Sequence, residues 1–236
     1  FYQLRGISVD DAGNVYVVDR GNHRIQVFTT QGDFQQMWGW GVATGTVRFE
    51  ICTQNCQSGR SGSEEGQFHF PSGIAVDGSG IVYVAGAGLH RVQAFTSAGA
   101  LLRQWGSEGS GAGQFNWPSG IAVDGSGRVY VADTGNDRIQ AFTPEGTFLR
   151  QWGSEGSAAG QFVYPYGIAV DGSGNVYVAD TLNHRVQVFA ADYPTPDAVH
   201  GLALNGSFEA TPDLVRWAYG GEQPLTLVGD ARLGSR

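Results

Sequence analysis

Apolar and polar residues alternate in short runs along the first 190 or so residues of the 236-residue chain. Residues 129–133 (VYVAD) and 138–142 (RIQAF) are typical, because they are rich in Val, Ile, Tyr or Phe and are bounded by Gly, Asp, Asn or Ser. Alternation is the period of a β-strand, and no segment sustains the 3.6-residue period of an amphipathic helix. The pattern predicts an all-β protein made of short antiparallel strands and tight turns.

These runs recur in a fixed order. The string Gly-Ile-Ala-Val-Asp begins at Gly73, Gly120 and Gly167, 47 residues apart each time, and a variant of it begins at Gly6. Each copy continues into three further runs, so each unit predicts a four-stranded antiparallel sheet. One such sheet cannot bury both of its faces, whereas sheets stacked around an axis can. The repeat therefore predicts a β-propeller.

The copies divide the chain into repeats, a linker and a tail. We predict repeat 1 at about 1–66 with an insertion at 40–62, repeat 2 at about 67–113, repeat 3 at about 114–160, repeat 4 at about 161–191, a Pro-rich linker at 192–201 and a partial β module at 202–236. Four blades leave two open sheet edges, which invite association. Because the chain begins inside a repeat, we expect it to be part of a larger ring. A four-bladed or open array, with self-association through the open blade edges, is the alternative.

Two heptapeptides carry a resemblance to a known family. Residues 22–28 (NHRIQVF) and 183–189 (NHRVQVF) resemble the signature of NHL repeats, and residues 114–121 and 161–168 are similar to the opening of the same repeats. The resemblance covers residues 1 to about 190 and implies a propeller, usually a six-bladed ring. It leaves function open, since such propellers include lyases, RNA binders, sensors and adhesion scaffolds.

The tail after the Pro-rich linker has a different composition. Residues 204–209 (LNGSFE) and 215–217 (VRW) are similar to the start of carbohydrate-binding jelly-roll modules. The residues that remain are too few for a whole module of that kind, so we expect the beginning of a second domain.

Charge narrows the range of partners. The net charge is −8, and all 14 cationic residues are Arg, since the chain contains no Lys. An acidic surface repels a phosphate backbone, so we expect no nucleic acid partner. No apolar run approaches the roughly 18 residues of a membrane helix, so we expect no transmembrane segment. A protein or a glycan remains as the expected partner.

Two cysteines lie close together in the insertion. Cys52 and Cys56 are four residues apart in a Gly/Ser/Gln-rich stretch, which favours a local disulfide. A metal pair is the alternative, but zinc needs four ligands and His69 is the nearby candidate. We expect an extracellular or cell-surface protein, although no signal peptide is visible.

Two series of Asp recur in the repeats. The first series has three members, each five residues before an Arg, and predicts a charge-assisted pair within each of those three blades: Asp19 and Arg24, Asp133 and Arg138, Asp180 and Arg185. The other series precedes Gly-rich turns, where Asp accepts backbone N–H bonds, with calcium binding as the alternative: Asp10, Asp77, Asp124 and Asp171.

Histidine bears on whether the protein is an enzyme. His23, His90 and His184 occupy one repeat position, where the third copy has Asp137. Peptide-amidating lyases resemble this propeller class and use histidines that converge on an axial metal. A residue present in most copies is more simply explained by the fold. We therefore predict no catalytic residue, no metal and no cofactor, with a metal-assisted lyase or hydrolase on the propeller axis as the alternative.

Departures from the repeat are the better candidates for binding. Three residues before Gly-Ile, copies two to four have an aromatic residue, and copy four has a second one directly before the glycine: Phe70, Trp117, Tyr164 and Tyr166. Because this segment enters the innermost strand, we expect these residues to lie on one rim near the axis. Aromatic faces on a rim suit sugar rings or peptide side chains, and packing between blades is the alternative.

The insertion is a second candidate surface. Trp40 and Phe49 make it apolar for a loop, and loops on a rigid sheet often carry recognition. A contact with a protein partner and a neutral insertion both remain open.

Copy two has lost two polar residues of the repeat, since Gly86 stands for Asp and Leu89 for Asn. A decaying blade and a blade that faces an apolar partner are both open interpretations. Together these features favour a non-enzymatic, exported or cell-surface scaffold that binds a protein or a glycan. Self-assembly is one form that the protein contact could take.

Overall fold

The computed structural model describes residues 1–191 and three strands of the tail, at 202–204, 208–211 and 214–217. The described residues form antiparallel sheets, as the sequence predicts. In each of the four blade sheets a short 3₁₀ turn joins the second strand to the third. Each of four successive sheets is one blade of a β-propeller, with its strands in chain order.

The first two blades carry nine strands. They are β1 (Leu4–Val9), β2 (Val15–Asp19), β3 (Arg24–Phe28), β4 (Phe34–Trp40) and β5 (Phe49–Cys52) in blade 1, and β6 (Pro71–Val76), β7 (Val82–Gly86), β8 (Arg91–Phe95) and β9 (Leu101–Trp105) in blade 2. The fifth strand of blade 1 comes from the insertion and pairs antiparallel with β4.

The remaining strands form blades 3 and 4 and a hairpin. They are β10 (Pro118–Val123), β11 (Val129–Asp133), β12 (Arg138–Phe142) and β13 (Phe148–Trp152) in blade 3, β14 (Pro165–Val170), β15 (Val176–Asp180), β16 (Arg185–Phe189) and β17 (Leu202–Leu204) in blade 4, and β18 (Phe208–Thr211) with β19 (Leu214–Trp217) in the hairpin. The backbone of β17 pairs with β16 and supplies the fourth strand of blade 4. The jelly-roll module and the domain boundaries remain predictions, since most of 192–236 lies outside the described residues.

The core lies between the blades. Each blade has a leading face towards the preceding blade and a trailing face towards the next one. The trailing face of blade 1 is formed by Tyr16, Val18, Ile25, Val27 and Trp38. It packs on the leading face of blade 2, which is formed by Ile74, Val82, Val84 and Phe95. The same pairing joins the trailing face of blade 2 to blade 3, and that of blade 3 to blade 4. Burying two apolar faces per interface is the main stabilising term of the array.

The innermost strands β1, β6, β10 and β14 lie side by side, and glycine allows this. A Cβ on Gly6 would lie 2.8 Å from the carbonyl oxygen of Ser72 in the next blade. The same crowding recurs at Gly73 and Gly120. Glycine at this position is therefore required by the close approach of neighbouring backbones.

Among the described residues, no helix has the length and apolar character needed to cross a bilayer.

Candidate functional site

A bulge at the start of each innermost strand shapes the axial end of the molecule. The pairing of β10 with β11 shifts register between Pro118 and Ile121, and the equivalent shift occurs in the other three blades. Bulges re-aim side chains at the rims of β-structures. The bulged position just before the glycine holds a different residue in each outer blade and Ser in the two inner blades: Arg5, Ser72, Ser119 and Tyr166.

The residue two positions earlier has a positive φ in every blade. These angles are 52° at Gln3, 49° at Phe70, 49° at Trp117 and 59° at Tyr164. Left-handed backbone is costly for a bulky residue, so the surrounding turn must hold it in place. Trp117 and Tyr164 are 47% and 46% exposed, whereas Phe70 is half-buried.

The innermost strands surround an open groove of about 360 Å³ along the axis. The four bulged residues line it, together with the glycines and isoleucines that follow them. The Tyr166 hydroxyl lies 3.3 Å from Ser72 Oγ, two blades away, and the Tyr166 ring stacks on Tyr164 with centroids 6.1 Å apart. Tyr166 therefore belongs to the groove, while Trp117 and Tyr164 are exposed near its end.

Two arginines of blade 1 contact these aromatic rings. The guanidinium carbon of Arg5 lies 5.8 Å from the centroid of Tyr166, and that of Arg20 lies 5.2 Å from the centroid of Phe70. We call the region formed by Arg5, Arg20, Phe70, Tyr166 and the groove between them the axial mouth. The repeat pattern of the sequence predicts the aromatic residues of the axial mouth but neither of its two arginines. The signal for Arg5 was its register with Ser72, Ser119 and Tyr166.

The repeated histidine position is part of a turn. His23, His90, Asp137 and His184 each end a 3₁₀ turn with φ between 49° and 53°. His90 Nδ1 accepts the backbone N–H of Trp117, and Asp137 Oδ1 accepts that of Tyr164, so the position links one blade to the next. Burial lowers the pKa of His23, whose ring stacks on His69 with centroids 6.0 Å apart. Within residues 1–191 and the three tail strands, no three His, Cys, Asp or Glu side chains are placed to hold a metal.

The Asp and Arg pairs lie inside the blades. Asp19 and Arg24 are 2.8 Å apart, while Asp133 and Arg138, like Asp180 and Arg185, are 2.7 Å apart. The three carboxylates are fully buried. Each also accepts a backbone N–H from the segment that enters the blade, at Tyr2, Asn116 and Val163. These carboxylates therefore tie the entry segment to the second and third strands.

The other Asp series holds the first turn of each blade. Asp77 accepts the hydroxyl of Tyr83 at 3.1 Å and backbone N–H groups of its own turn, and the equivalent bonds recur in the other blades. Burial raises the pKa of Tyr83 to about 12, with Asp77 acting in the same direction. The carboxylates are thus saturated by hydrogen bonds from their own blade.

The insertion packs against blade 2. Phe49 stacks on Phe95 with centroids 6.0 Å apart, and Trp40 Nε1 donates to the carbonyl oxygen of Glu65. Cys52 and Cys56 form a disulfide. Trp40 and Phe49, which the sequence predicts as partner contacts, are therefore half-buried within the chain. They lie on β4 and β5, at the opposite edge of the blade 1 sheet from the innermost strand β1.

Glu50 anchors the turn inside the insertion. Burial raises the pKa of this carboxyl, but hydrogen bonds from Thr44, Ala43 and Thr46 outweigh it and lower the pKa to about 2. The buried carboxylate therefore stays ionised and holds the turn in one conformation. Sequence reasoning missed this residue, because nothing in its spacing marks it.

Comparison with known proteins agrees with this geometry. The NHL repeat family matches residues 1–28, 115–142 and 162–189, in blades 1, 3 and 4. The predicted resemblance to NHL repeats is confirmed at these three segments, while the jelly-roll resemblance of the tail remains a prediction. No curated protein matches the chain by sequence.

Solved structures share the fold of this chain. A protein of unknown function from Bacteroides thetaiotaomicron is 18% identical with a TM-score of 0.55, over 80% of this chain and 47% of that one. One from Bacteroides caccae is 12% identical with a TM-score of 0.51, over 82% and 59%. A catalytically inactive virginiamycin B lyase from Staphylococcus aureus, with quinupristin, is 15% identical with a TM-score of 0.54, over 84% and 58%. The chain thus spans about half the length of these structures, and at such identities the likeness is one of fold alone.

Proposed function

We propose that this chain is a non-enzymatic, exported or cell-surface scaffold that binds proteins through the two unpaired faces of its end blades, and that its first partner is a second copy of itself. The disulfide between Cys52 and Cys56 supports an oxidising compartment. The observation that carries the proposal is that the two open faces are the two halves of the interface that already joins neighbouring blades.

The trailing face of blade 4 is one half. Ala122, Tyr130 and Ala132 of blade 3 are buried. Their equivalents in blade 4 are more accessible, since Ala169 is exposed and Tyr177 and Ala179 are half-buried. Among the described residues, a Cβ added to Gly167 would meet only the Cβ of Ala179 in its own blade, at 3.5 Å, whereas the three equivalent glycines before it face the backbone of a neighbouring blade. Glycine at this position leaves room for one more innermost strand.

The leading face of blade 1 is the other half. Ile7 is 66% exposed, while the equivalent Ile74 and Ile121 are 5% and 6% exposed. A Cβ added to Gly32 would have no neighbour within 4 Å in the part of the chain that the structure describes, whereas Trp38 and Trp105 of the preceding blades pack on the equivalent Gly99 and Gly146. This face therefore lacks the aromatic residue that the other leading faces receive.

Polar groups match in the same way. His90 and Asp137 each accept a backbone N–H from the positive-φ residue of the next blade. The exposed His184 holds the equivalent acceptor position in blade 4, and Gln3, with a φ of 52°, holds the equivalent donor position in blade 1. When blade 4 of one copy packs against blade 1 of another, the contact repeats the interface that joins neighbouring blades within the chain. Such head-to-tail contacts either close into a ring or continue as an open array.

The test is the mass of the 236-residue chain in solution by light scattering across a concentration series. We expect assemblies of two or more chains. Ile7→Asp on the leading face and Ala169→Arg on the trailing face should each give monomers, because each places a charge in an apolar contact. Leu102→Asp, on an exposed outer strand of blade 2, is the matched control and should assemble normally.

Mixing the two variants distinguishes head-to-tail contact from association of like faces. Each variant retains one intact face, so an equimolar mixture of Ile7→Asp and Ala169→Arg should form a heterodimer through one interface. A wild-type chain that stays monomeric at high micromolar concentration, or a Leu102→Asp variant as defective as the other two, contradicts the proposal.

A further inference from the structure

The axial mouth concentrates positive charge in an acidic protein. The chain has a net charge of −8, yet Arg5 lines the groove, and Arg20, whose guanidinium contacts Phe70, is close enough to interact with the charge of Arg5. Burial lowers the pKa of Arg20; Tyr166 and Tyr164 oppose this, and the charge of Arg5 adds to it. Among the described residues, neither guanidinium has a carboxylate within ion-pair distance. Two adjacent cations without a counter-ion attract an anion.

The aromatic residues leave the guanidinium edges available. Arg5 lies over the ring of Tyr166 and Arg20 over that of Phe70, so each cation is held by a cation–π contact. The N–H groups of a stacked guanidinium remain free to bind a carboxylate with two parallel hydrogen bonds. The stacking therefore orients the cations and leaves their donors unused by the described residues.

The same region offers flat apolar surfaces and hydroxyl groups. Tyr164 and Tyr166 stack with an interplanar angle of 17°, and the Tyr164 side chain is 46% exposed. The Ser72 and Tyr166 hydroxyls lie close together in the groove. Aromatic faces pack on the apolar faces of sugar rings, and hydroxyls exchange hydrogen bonds with sugar hydroxyls. The groove, at about 360 Å³, lies near the lower end of the roughly 300–1,000 Å³ range of ligand pockets.

We infer that the axial mouth binds a saccharide that carries carboxylates, of the uronic acid class. Arg5 and Arg20 bind the carboxylate, the pair Tyr164 and Tyr166 packs on the ring, and the groove hydroxyls bind ring hydroxyls. This site lies within one chain and does not depend on the self-association proposed above.

The experiment is calorimetric titration of the 236-residue chain with tetragalacturonate and with its methyl ester. The ester keeps the sugar rings and removes the negative charge. We expect binding of the acid, weakened by added NaCl, and binding at least about tenfold weaker for the ester, because hydrogen bonds to charged groups are the stronger ones.

Variants assign the binding to this site. Arg5→Gln and Arg20→Gln should each weaken binding of the acid by about tenfold or more. Tyr166→Ser restores the residue found in blades 2 and 3 and should weaken the acid and its ester alike. Arg60→Gln removes one exposed positive charge from the insertion and should bind normally. Circular dichroism and thermal melting of each variant check that it is folded.

Three results overturn the inference. The first is equal affinity for the acid and its ester. The second is equal weakening by Arg60→Gln and Arg5→Gln, which would indicate a general charge effect. The third is competition by tetraglutamate at equal concentration, since the site would then recognise carboxylates without regard to the ring.

Discussion

Blades 2 and 3 are similar in sequence, and one of their differences lies at the residue that ends the second strand. Asp133 occupies this position in blade 3 and Gly86 in blade 2, while the neighbouring strands read VYVA and R(I/V)QAF in both. In blade 3 the buried Asp133 carboxylate accepts hydrogen bonds from Asn116 N, Asn136 Nδ2, Arg138 Nε and Gln140 Nε2. Blade 2 has none of these bonds, yet it forms the same sheet.

The arginine explains how blade 2 keeps its shape. Arg138 donates to the carbonyl oxygens of Ser110, Gly111 and Gln114 in the loop that enters the blade. Arg91 makes the three equivalent bonds in blade 2, at 2.8, 2.7 and 3.3 Å. Its Nε, however, is buried with no hydrogen-bond partner among the described residues. The guanidinium therefore holds the loop in both blades, and the carboxylate adds stability without being essential to the fold.

Removing the carboxylate from blade 3 should have the largest effect. Asp133→Ala leaves the buried Arg138 without its counter-ion, and breaking a buried pair in this way costs about 3–5 kcal/mol. We expect the urea midpoint to fall accordingly. Asp33→Ala, at an exposed turn of blade 1, is the control for loss of one charge. A loss under 1 kcal/mol would mean that Arg138 is satisfied by the loop alone.

Adding the carboxylate to blade 2 should have a smaller and opposite effect. The φ and ψ of Gly86, −97° and 90°, are close to the −88° and 73° of Asp133, and a Cβ would lie 3.3 Å from its nearest neighbour. Gly86→Asp should therefore pair with Arg91 Nε and raise the free energy of unfolding by about 1–2 kcal/mol. Gly86→Asn tests the charge, and equal gains from both variants would attribute the effect to backbone entropy.

The pH dependence of blade 3 provides a third test. Burial raises the pKa of Asp124, but hydrogen bonds from Ser126, Arg128 and Tyr130 outweigh it and lower the pKa below its ordinary value. Since the folded pKa is below the unfolded one, about 3.9, the stabilisation is complete above the unfolded value and is lost as the pH falls from there through the folded pKa. Asp124→Asn should therefore be about 1 kcal/mol less stable than the wild type at pH 7, and this deficit should shrink as the pH falls below about 3.9.

The control for this test is Asp11→Asn, which changes the net charge equally at an exposed position. A deficit of Asp124→Asn that stays constant from pH 7 to pH 3 would assign the loss to packing and not to the ionised carboxylate.

The smallest effect is expected at the exposed partner of Asp124. Blade 3 has Arg128 where blade 2 has Ile81, and the Arg128 side chain is 36% exposed although its Nε lies 2.8 Å from Asp124. Exposed ion pairs contribute about 0.2–1 kcal/mol, so Arg128→Ile should shift the urea midpoint little. A double-mutant cycle with Asp124→Asn isolates the pair. A coupling energy above about 1.5 kcal/mol contradicts this ranking.

The fold could be predicted because its signals are local and repeated. The run Val129–Asp133, the turn glycines and the small residues of the innermost strands recur in the same order, and each copy supports the others. The aromatic positions Phe70, Trp117 and Tyr164 were predictable for the same reason. Arg5 was predictable only in register, since nothing along the chain shows that its side chain meets Tyr166, about 160 residues away.

The amino-acid sequence alone determined the all-β class, the recurrence of four-stranded units and the positions that must be glycine, because hydrophobic period and turn chemistry act over a few residues. Only the tertiary structure decided which side chains share the axial mouth, which carboxylates are consumed within blades and which two faces stay unpaired. Those outcomes depend on how whole blades stack, so residues far apart in sequence become neighbours through packing that no local pattern encodes.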